Sequence, residues 1–302
     1  MRRARALKPR RAWLFMPGGR MKFIQKAAKL DVDVVCMDLE DGVAEGDAKA
    51  EARSTIRTAL ETLNFGRSDV AVRINTPRLD ERIALEDLEA VLTAPVLPQT
   101  LCVPKVAHVH ELTRVLDSSE SILSSRPDWK AGRGGERMAL VTMCESPLGL
   151  LNLAEILEAS TDPNAVLDTQ AVIFGGDDYA AEAGATRSTT NEEILMPRQM
   201  VVATCRAYGV QPLDIIIHPK QIDPVQSAFS PTEEQIAEAE ELLEAYQLHY
   251  SASNDDAHSS GDGESKTVRK GAFTYKGKMI DMPTVLIAQN VVARAEAAEN
   301  SN

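Results

Sequence analysis

A parallel (β/α) barrel is the fold this sequence predicts, on three observations. Short apolar runs alternate with longer amphipathic stretches along most of the chain, several of those runs are apolar at every position, and polar residues follow them closely. Alternation of this kind marks repeated βα units, unlike the even strand spacing of a sandwich. Runs such as Val34-Val35-Cys36-Met37 and Ala171-Val172-Ile173-Phe174 suit strands covered on both faces by helices.

Taken in order, strands are expected at Ala12–Met16, Val32–Met37, Val70–Ile74, Thr100–Val103, Met138–Cys144, Ala171–Phe174 and Leu213–Ile217. Helices are expected between them at Met21–Leu30, Asp47–Leu63, Glu81–Leu92, Val109–Leu123, Leu148–Glu158 and Asn191–Tyr208. Beyond the barrel, Ser230-Pro231-Thr232-Glu233 opens a Glu- and Ala-rich stretch that reads as a surface helix to Tyr250. Ser251–Lys266 is nearly devoid of apolar residues and reads as a flexible linker. Gly271–Ala298 then passes from a strand through a turn at Lys276-Gly277-Lys278 into a helix. The expected organisation is a basic tail (1–11), the barrel (12–229), a surface helix (230–250), a linker (251–266) and a C-terminal arm or lid (267–302).

Composition narrows the function. With 302 residues, 44% hydrophobic and 26% charged, the chain can bury a full core as one large domain or two smaller ones. A net charge of −12 argues against a broad attraction to nucleic acid or anionic lipid. No apolar run reaches the roughly 18 residues that a membrane span needs, so no membrane partner is expected. Cys36, Cys102, Cys144 and Cys205 are widely spaced and include no C-x-x-C pair, which suits buried free thiols in a reducing compartment. The start is crowded with Arg2, Arg3, Arg5, Lys8, Arg10 and Arg11 and has no acid before Asp31. It reads equally as a short mitochondrial presequence or a frayed basic tail, leaving the compartment mitochondrial or cytoplasmic.

In such barrels chemistry gathers where the βα loops leave the strands. Those positions deliver Gly18-Gly19-Arg20, Asp38-Leu39-Glu40-Asp41, Arg73-Ile74-Asn75, Pro104-Lys105, Glu145-Ser146 and Gly175-Gly176-Asp177-Asp178. Magnesium prefers oxygen ligands and commonly takes only one or two protein carboxylates. Glu145 and Asp178 suit that need, and two glycines before Asp178 let a ligand approach the backbone; the alternative is a pair of solvated loop acids. Asp38, Glu40 and Asp41 could hold metal-bound waters, with helix capping the alternative for Asp41. Arg73 offers a fork of donors to a carboxylate or enolate oxygen, or else a structural ion pair.

Arg20 and Lys22, at a Gly-Gly helix opening, could hold a phosphate, and Lys105 joins them as a cofactor-binding candidate. His218, between Ile217 and Pro219, reads as a packed, hydrogen-bonded histidine before it reads as a base. The sequence has no dinucleotide fingerprint, Walker loop, G-x-S-x-G or H-E-x-x-H.

Assembled, these pieces resemble the citrate lyase beta-subunit-like family, with its citramalyl-CoA lyase (beta-like) branch the most similar. The resemblance rests on Trp13-Leu14-Phe15-Met16-Pro17-Gly18, Asp38-Leu39-Glu40-Asp41-Gly42-Val43, Val72-Arg73-Ile74-Asn75, Val103-Pro104-Lys105-Val106, Glu145-Ser146-Pro147-Leu148-Gly149, Phe174-Gly175-Gly176-Asp177-Asp178-Tyr179, Ile217-His218-Pro219-Lys220-Gln221 and Met279-Ile280-Asp281-Met282-Pro283. It implies a (β/α)8 TIM-type barrel with a C-terminal helical arm. It also implies a magnesium-dependent lyase that cleaves a short 3-hydroxyacyl-CoA, citramalyl-CoA or malyl-CoA, to acetyl-CoA and a 2-keto acid.

By the same resemblance Arg73 would hold the keto-acid half, Glu145 and Asp178 would bind Mg2+, and Asp281 would be the acid/base. The chain would be a homo-oligomer, a trimer favoured, with Asp281 supplied in trans. One departure stands out: Asp214-Ile215-Ile216 runs straight into Ile217-His218-Pro219, where the family pattern has a further βα unit of roughly thirty residues. A barrel lacking one strand must leave an edge open or shift its register. Two other readings follow: a CoA-thioester-binding scaffold that has lost catalysis, and an aldolase acting on a free keto acid.

Overall fold

Seven parallel strands, not eight, form the sheet, in the spatial order of the chain: β1 (Trp13–Pro17), β2 (Val34–Asp38), β3 (Asp69–Arg73), β4 (Thr100–Val103), β5 (Met138–Cys144), β6 (Leu167–Phe174) and β7 (Gln211–Leu213). This is a computed structural model, and it describes residues 8–126, Trp129, 137–258 and 272–299. The first seven tail residues and linker residues 259–266 lie outside the described residues. The chain divides into two compact units, one holding residues 10–224 and the other residues 225–302.

The first unit is the TIM-type barrel short of one βα unit that the family pattern implied. Its sheet curls until a single extended segment serves both edges. Gln211–Leu213 pairs with β6, and three residues on, Ile216 bridges to Leu14 of β1. Ile216 N–H donates to Trp13 O (3.0 Å) and Phe15 N–H donates to Ile216 O (3.3 Å), which satisfies part of an edge that would otherwise be unpaired. The expected strand at Leu213–Ile217 is thus divided between two neighbours, and Ile217 is left 75% exposed.

Side chains alternate across the strands. Trp13, Val34, Cys36, Ala71, Cys102, Val141, Met143, Ala171 and Ile173 fill the barrel interior. Continuing the same parity by one step brings Asp38, Arg73, Glu145 and Gly175 inward at the top of the barrel. A register shift opposite Leu140/Val141 inserts Gln170 into β6, so that polar Gln170 reaches Arg10 while Ala171 still joins the interior. The opposite strand face packs on the helices: Cys144, Val172 and Phe174 meet Leu150, Leu153, Leu157, Val201 and Cys205.

Around the sheet lie α1 (Met21–Ala27), α2 (Asp47–Thr62), α3 (Glu81–Leu92), α4 (Val109–Ser124), α5 (Pro147–Leu151), α6 (Leu153–Ser160), α7 (Gly176–Glu182) and α8 (Leu195–Tyr208). The helix expected at Leu148–Glu158 is two helices. They break at Asn152, whose amide donates to Ala107 O (2.8 Å). All four cysteines are free and buried, as expected, and burial pushes the Cys144 and Cys205 thiols up to about 12.

After α9 (Ile222–Phe229), the second unit contains α10 (Glu233–His258), a hairpin of β8 (Phe273–Tyr275) and β9 (Lys278–Ile280), and α11 (Met282–Glu299). Helical backbone therefore continues through Ser251–His258, where the sequence suggests a linker. The hairpin turn falls where expected, with left-handed Lys276 (φ 47°) and Gly277 (φ 75°). No described helix is long and apolar enough to cross a membrane.

Candidate metal and substrate site

β2, β3, β4 and β5 end at one level, so their following residues meet at the barrel mouth. Asp38 closes β2 and receives a two-pronged grip from Arg73 at the end of β3: Nε to Oδ1 at 2.7 Å and Nη2 to Oδ2 at 2.6 Å. The Asp38 carboxylate also accepts from the backbone N–H groups of Glu40 (2.9 Å) and Gly42 (2.7 Å). A Cβ on Gly42 would stand 2.6 Å from Asp38 Oδ2, so only glycine allows this turn. Arg73 Nη1 reaches Glu40 Oε2 at 2.8 Å, and the guanidinium lies 4.7 Å over the Phe15 ring. The loop acids therefore supply the partners that a buried Arg73 requires. Two of the five guanidinium N–H groups are hydrogen-bonded to Asp38 and the Glu40 contact is an ion pair only, which leaves donors on both terminal nitrogens for another acceptor.

Lys105, after β4, links the two halves of the mouth. Its ammonium sits 2.8 Å from Glu40 Oε1 and 3.0 Å from Asp41 Oδ2. Its backbone is left-handed (φ 53°), and its N–H donates to Glu145 Oε2 at 2.9 Å. Glu145 is buried, and Gly175 makes room for it: a Cβ there would collide with the carboxylate and stand 2.6 Å from Glu145 Cγ.

Burial, and then the negative charges of Glu40 and Asp178, push the Glu145 carboxyl up to about 8, against the pull of the Lys105 N–H and Arg73. Burial also raises Glu40, against Arg73 and Lys105. The exposed Asp178, in the first turn of α7, shares with Glu145, Ser146 and Lys105 a cavity of about 300 Å³. Arg78, Leu79, Ala181 and Glu182 complete its lining.

Two carboxylates facing one small cavity, one of them raised first by burial and then by its acidic neighbours, fit a divalent cation. Glu145 and Asp178 would supply two oxygen ligands and leave the other positions to water and substrate. Among the described residues no set of three or more His, Cys, Asp or Glu side chains is placed to hold a metal. Asp38 is spent on Arg73, and Asp41 pairs with Lys105 and caps no helix, since Gly46 precedes α2.

Arg20 and Lys22 are exposed at the start of α1. His218 is not packed: it is exposed, and its Nδ1 accepts from the Lys220 N–H (3.1 Å) at a 3-10 turn. Asp281, in the second unit, is exposed and caps α11, accepting from Thr284 Oγ1 (2.8 Å) and N–H (3.2 Å). Those bonds draw its carboxyl below the ordinary range.

Behind the mouth lies a buried support that the strand-end pattern does not reveal. Lys49 of α2 donates to Leu39 O, Glu40 O and Asn75 Oδ1, each at 2.8 Å. Asn75 in turn donates its N–H and side-chain amide to Asp87 Oδ2, both at 2.7 Å, and Arg53 Nε donates to Asp87 Oδ1 at 2.6 Å. Both Lys49 and Asp87 lie within helices, where a polar residue usually means a solvated face.

Comparison with known proteins follows the same lines. Residues 11–227 match HpcH/HpaI aldolase/citrate lyase. A citramalyl-CoA lyase, mitochondrial, from Mus musculus is 36% identical over 316 aligned residues, covering 95% of this chain and 86% of its own length. That alignment is longer than the 302 residues here, so the mouse protein carries residues with no counterpart in this chain. An L-malyl-CoA/beta-methylmalyl-CoA lyase from Cereibacter sphaeroides is 27% identical, with 96% of this chain and 95% of its own covered. Among solved structures, CitE from Mycobacterium tuberculosis, in complex with magnesium, acetoacetate and coenzyme A, superposes with a TM-score of 0.68 at 24% identity. The match covers 96% of this chain and 99% of that one.

Proposed function

The chain belongs to the HpcH/HpaI aldolase/citrate lyase family, and from that premise we propose that it is a magnesium-dependent carbon–carbon lyase. Its substrate is a short 3-hydroxyacyl-CoA, citramalyl-CoA or malyl-CoA, cleaved to acetyl-CoA and a 2-keto acid, with the reverse condensation open to it. The observation that carries this reading is Glu145: a carboxyl raised first by burial and then by the charges of Glu40 and Asp178, beside a small cavity, is a site whose negative charge a divalent cation would offset. Identity of 36% to a citramalyl-CoA lyase supports the substrate class.

Glu145 and Asp178 are the proposed Mg2+ ligands, and the bound ion would supply positive charge for the oxygens of the reacting acyl and keto groups. Arg73, held rigid by Asp38 and Glu40, offers its remaining N–H groups to the keto-acid half. Asp281 takes the proton of the substrate hydroxyl, the O–H electron pair forms the keto C=O, and the pair of the breaking carbon–carbon bond passes to the thioester α-carbon, whose enolate takes up one proton to give acetyl-CoA. An exposed, hydrogen-bonded Asp281 is a weak base; burial against another subunit would raise it into a useful range, which supports delivery in trans within a homo-oligomer, a trimer favoured.

Arg20 and Lys22 are the proposed contacts for the CoA phosphates. Lys105, with its ammonium on Glu40 and Asp41, would join them only by leaving those acids. The Arg-rich start and the mitochondrial relative from Mus musculus support a mitochondrial address.

The test is acetyl-CoA release from citramalyl-CoA and malyl-CoA with Mg2+ and with a chelator. Magnesium-dependent release from one of the two is expected; its absence with both substrates would overturn the reading. Asp281→Ala should abolish release while leaving CoA and metal binding intact, and unchanged turnover would remove its assigned role. The seven-strand sheet, joined at its seam by one bridge, favours a second reading: a relative that binds CoA without turnover. Calorimetric binding of CoA by a protein that releases no acetyl-CoA would support it.

A further inference from the structure

The cavity that holds Glu145 and Asp178 is crossed by one ion pair that the lyase reading leaves unused. Arg78, in the loop after β3, meets Glu182 at the end of α7, which follows β6, with Nη2 3.0 Å from Oε1. Both side chains line the cavity. In the sheet order β4 and β5 lie between β3 and β6, so this link passes over the strand ends that carry Lys105 and Glu145.

The three cations near the mouth differ in how firmly they are held. Arg73 is buried and committed to Asp38 and Glu40, and Lys105 is committed to Glu40 and Asp41. Among the described residues Arg78 has one acidic partner, Glu182, itself 43% exposed, while the Arg78 side chain is 30% exposed. A pair this open to water is held only weakly and exchanges readily for a better anion. Arginine's planar fork is also matched to a carboxylate or phosphate oxygen pair.

We propose that Arg78 is a substrate-binding residue whose carboxylate partner, Glu182, is a placeholder: on binding, an oxyanion of the substrate displaces Glu182 from the Arg78 guanidinium. This rests on the lyase reading of the same cavity. The oxyanion is a carboxylate of the acyl half or a phosphate of the CoA half, which share the chemistry that Arg78 recognises. Neighbouring Leu79, 77% exposed on the same loop, leaves the loop without an apolar anchor of its own there.

The proposal makes the two partners act in opposite directions. Arg78→Met removes the guanidinium donors and should weaken anion binding about tenfold. Glu182→Gln removes the competitor, frees Arg78, and should tighten binding about threefold or more. A purely structural ion pair would be broken by either change, and both would then weaken binding alike.

The experiment titrates wild type, Arg78→Met and Glu182→Gln by calorimetry with CoA alone and with pyruvate in Mg2+, after circular dichroism has verified each fold. Opposite shifts in the CoA arm identify a phosphate, and opposite shifts in the pyruvate arm a carboxylate. Shifts of the same sign, or none, in both arms would overturn the placeholder role while wild-type binding leaves the lyase reading standing. Wild type that binds neither probe would overturn the lyase reading and this inference with it.

Discussion

The two ends of the barrel both bury charge, and they handle it in opposite ways. At the foot, where the strands begin, every carboxylate is matched. Asp33 receives Arg11 (Nη2 2.8 Å, Nε 2.9 Å) and Arg67 (3.0 Å), Asp168 receives Arg137 (2.7 Å), and Asp69 lies 3.6 Å from Arg10 while accepting from Thr100. Arg10 further donates to Gln211 (2.7 Å) and Gln170 (2.5 Å), tying β7 and β6 to the foot of β3. At the mouth, Asp38, Glu40 and Asp41 share Arg73 and Lys105, and among the described residues no cation is ion-paired with Glu145 or Asp178. The foot is balanced because its task is to hold strands together. The mouth keeps a negative surplus, which costs stability and is retained where a cation and a substrate are to be bound.

The strongest way to break this contrast is to neutralise one acid at each end. Glu145→Gln should lower turnover by on the order of a thousandfold, since it removes a proposed metal ligand, while thermal stability holds or rises because a repelled, buried carboxyl is gone. Asp69→Ala should do the reverse: it leaves Arg10 buried without its acid, costs about 3–5 kcal/mol in urea denaturation, and leaves turnover per folded molecule near wild type. Equal destabilisation by the two variants would show that the mouth is a structural cluster like the foot.

Dependence on pH sharpens the same contrast. Glu145 titrates near 8 in the folded, metal-free protein and near its ordinary 4.5 when unfolded. Between those values the folded state keeps a proton that the unfolded state has lost. Stability therefore falls as pH rises through that window, by on the order of a few kcal/mol, and is level above it. Asp33 has the opposite sign. Burial would raise it, but Arg11 and Arg67 outweigh burial and hold it below 3.8, so its contribution is present above that pH and is lost in acid as pH falls through its folded value. Urea denaturation without metal from pH 3 to 9 should show the decline toward 8 in wild type and a smaller decline, left by the likewise raised Glu40, in Glu145→Gln. Persistence of the full decline in the variant would assign it to another group.

The mouth was the more legible end in the sequence, for a physical reason. Strands covered on both faces must be apolar, so the first polar residues after them stand out, and Arg73, Glu145 and Asp178 are read directly. The foot hides because its charges precede or interrupt the strands: Asp168 and Gln170 obscure the first four residues of β6, and their partners Arg137 and Arg10 lie far away in sequence. Lys49, Asp87, Arg78 and Glu182 are equally silent, since a polar residue in a helix or loop acquires meaning only from what the fold brings against it. The seam carries a similar lesson. The family pattern reveals that a unit is missing, but only the hydrogen bonds of Ile216 show how one segment serves two strands.

The smallest expected effect falls at Lys105, where the mouth holds strain and charge in one residue. A left-handed conformation costs a residue with a Cβ roughly 1 kcal/mol or more, and glycine avoids that cost. Lys105→Gly should therefore recover about as much stability as it loses from the ion pairs with Glu40 and Asp41, leaving the unfolding free energy within about 1 kcal/mol of wild type. The backbone N–H that orients Glu145 survives the change, so metal binding persists by calorimetry. Lys105→Val, which keeps no ammonium and whose branched Cβ resists the left-handed region, should lose stability and metal affinity together. If glycine and valine behave alike, the ammonium and not the backbone is what holds Glu145 in place.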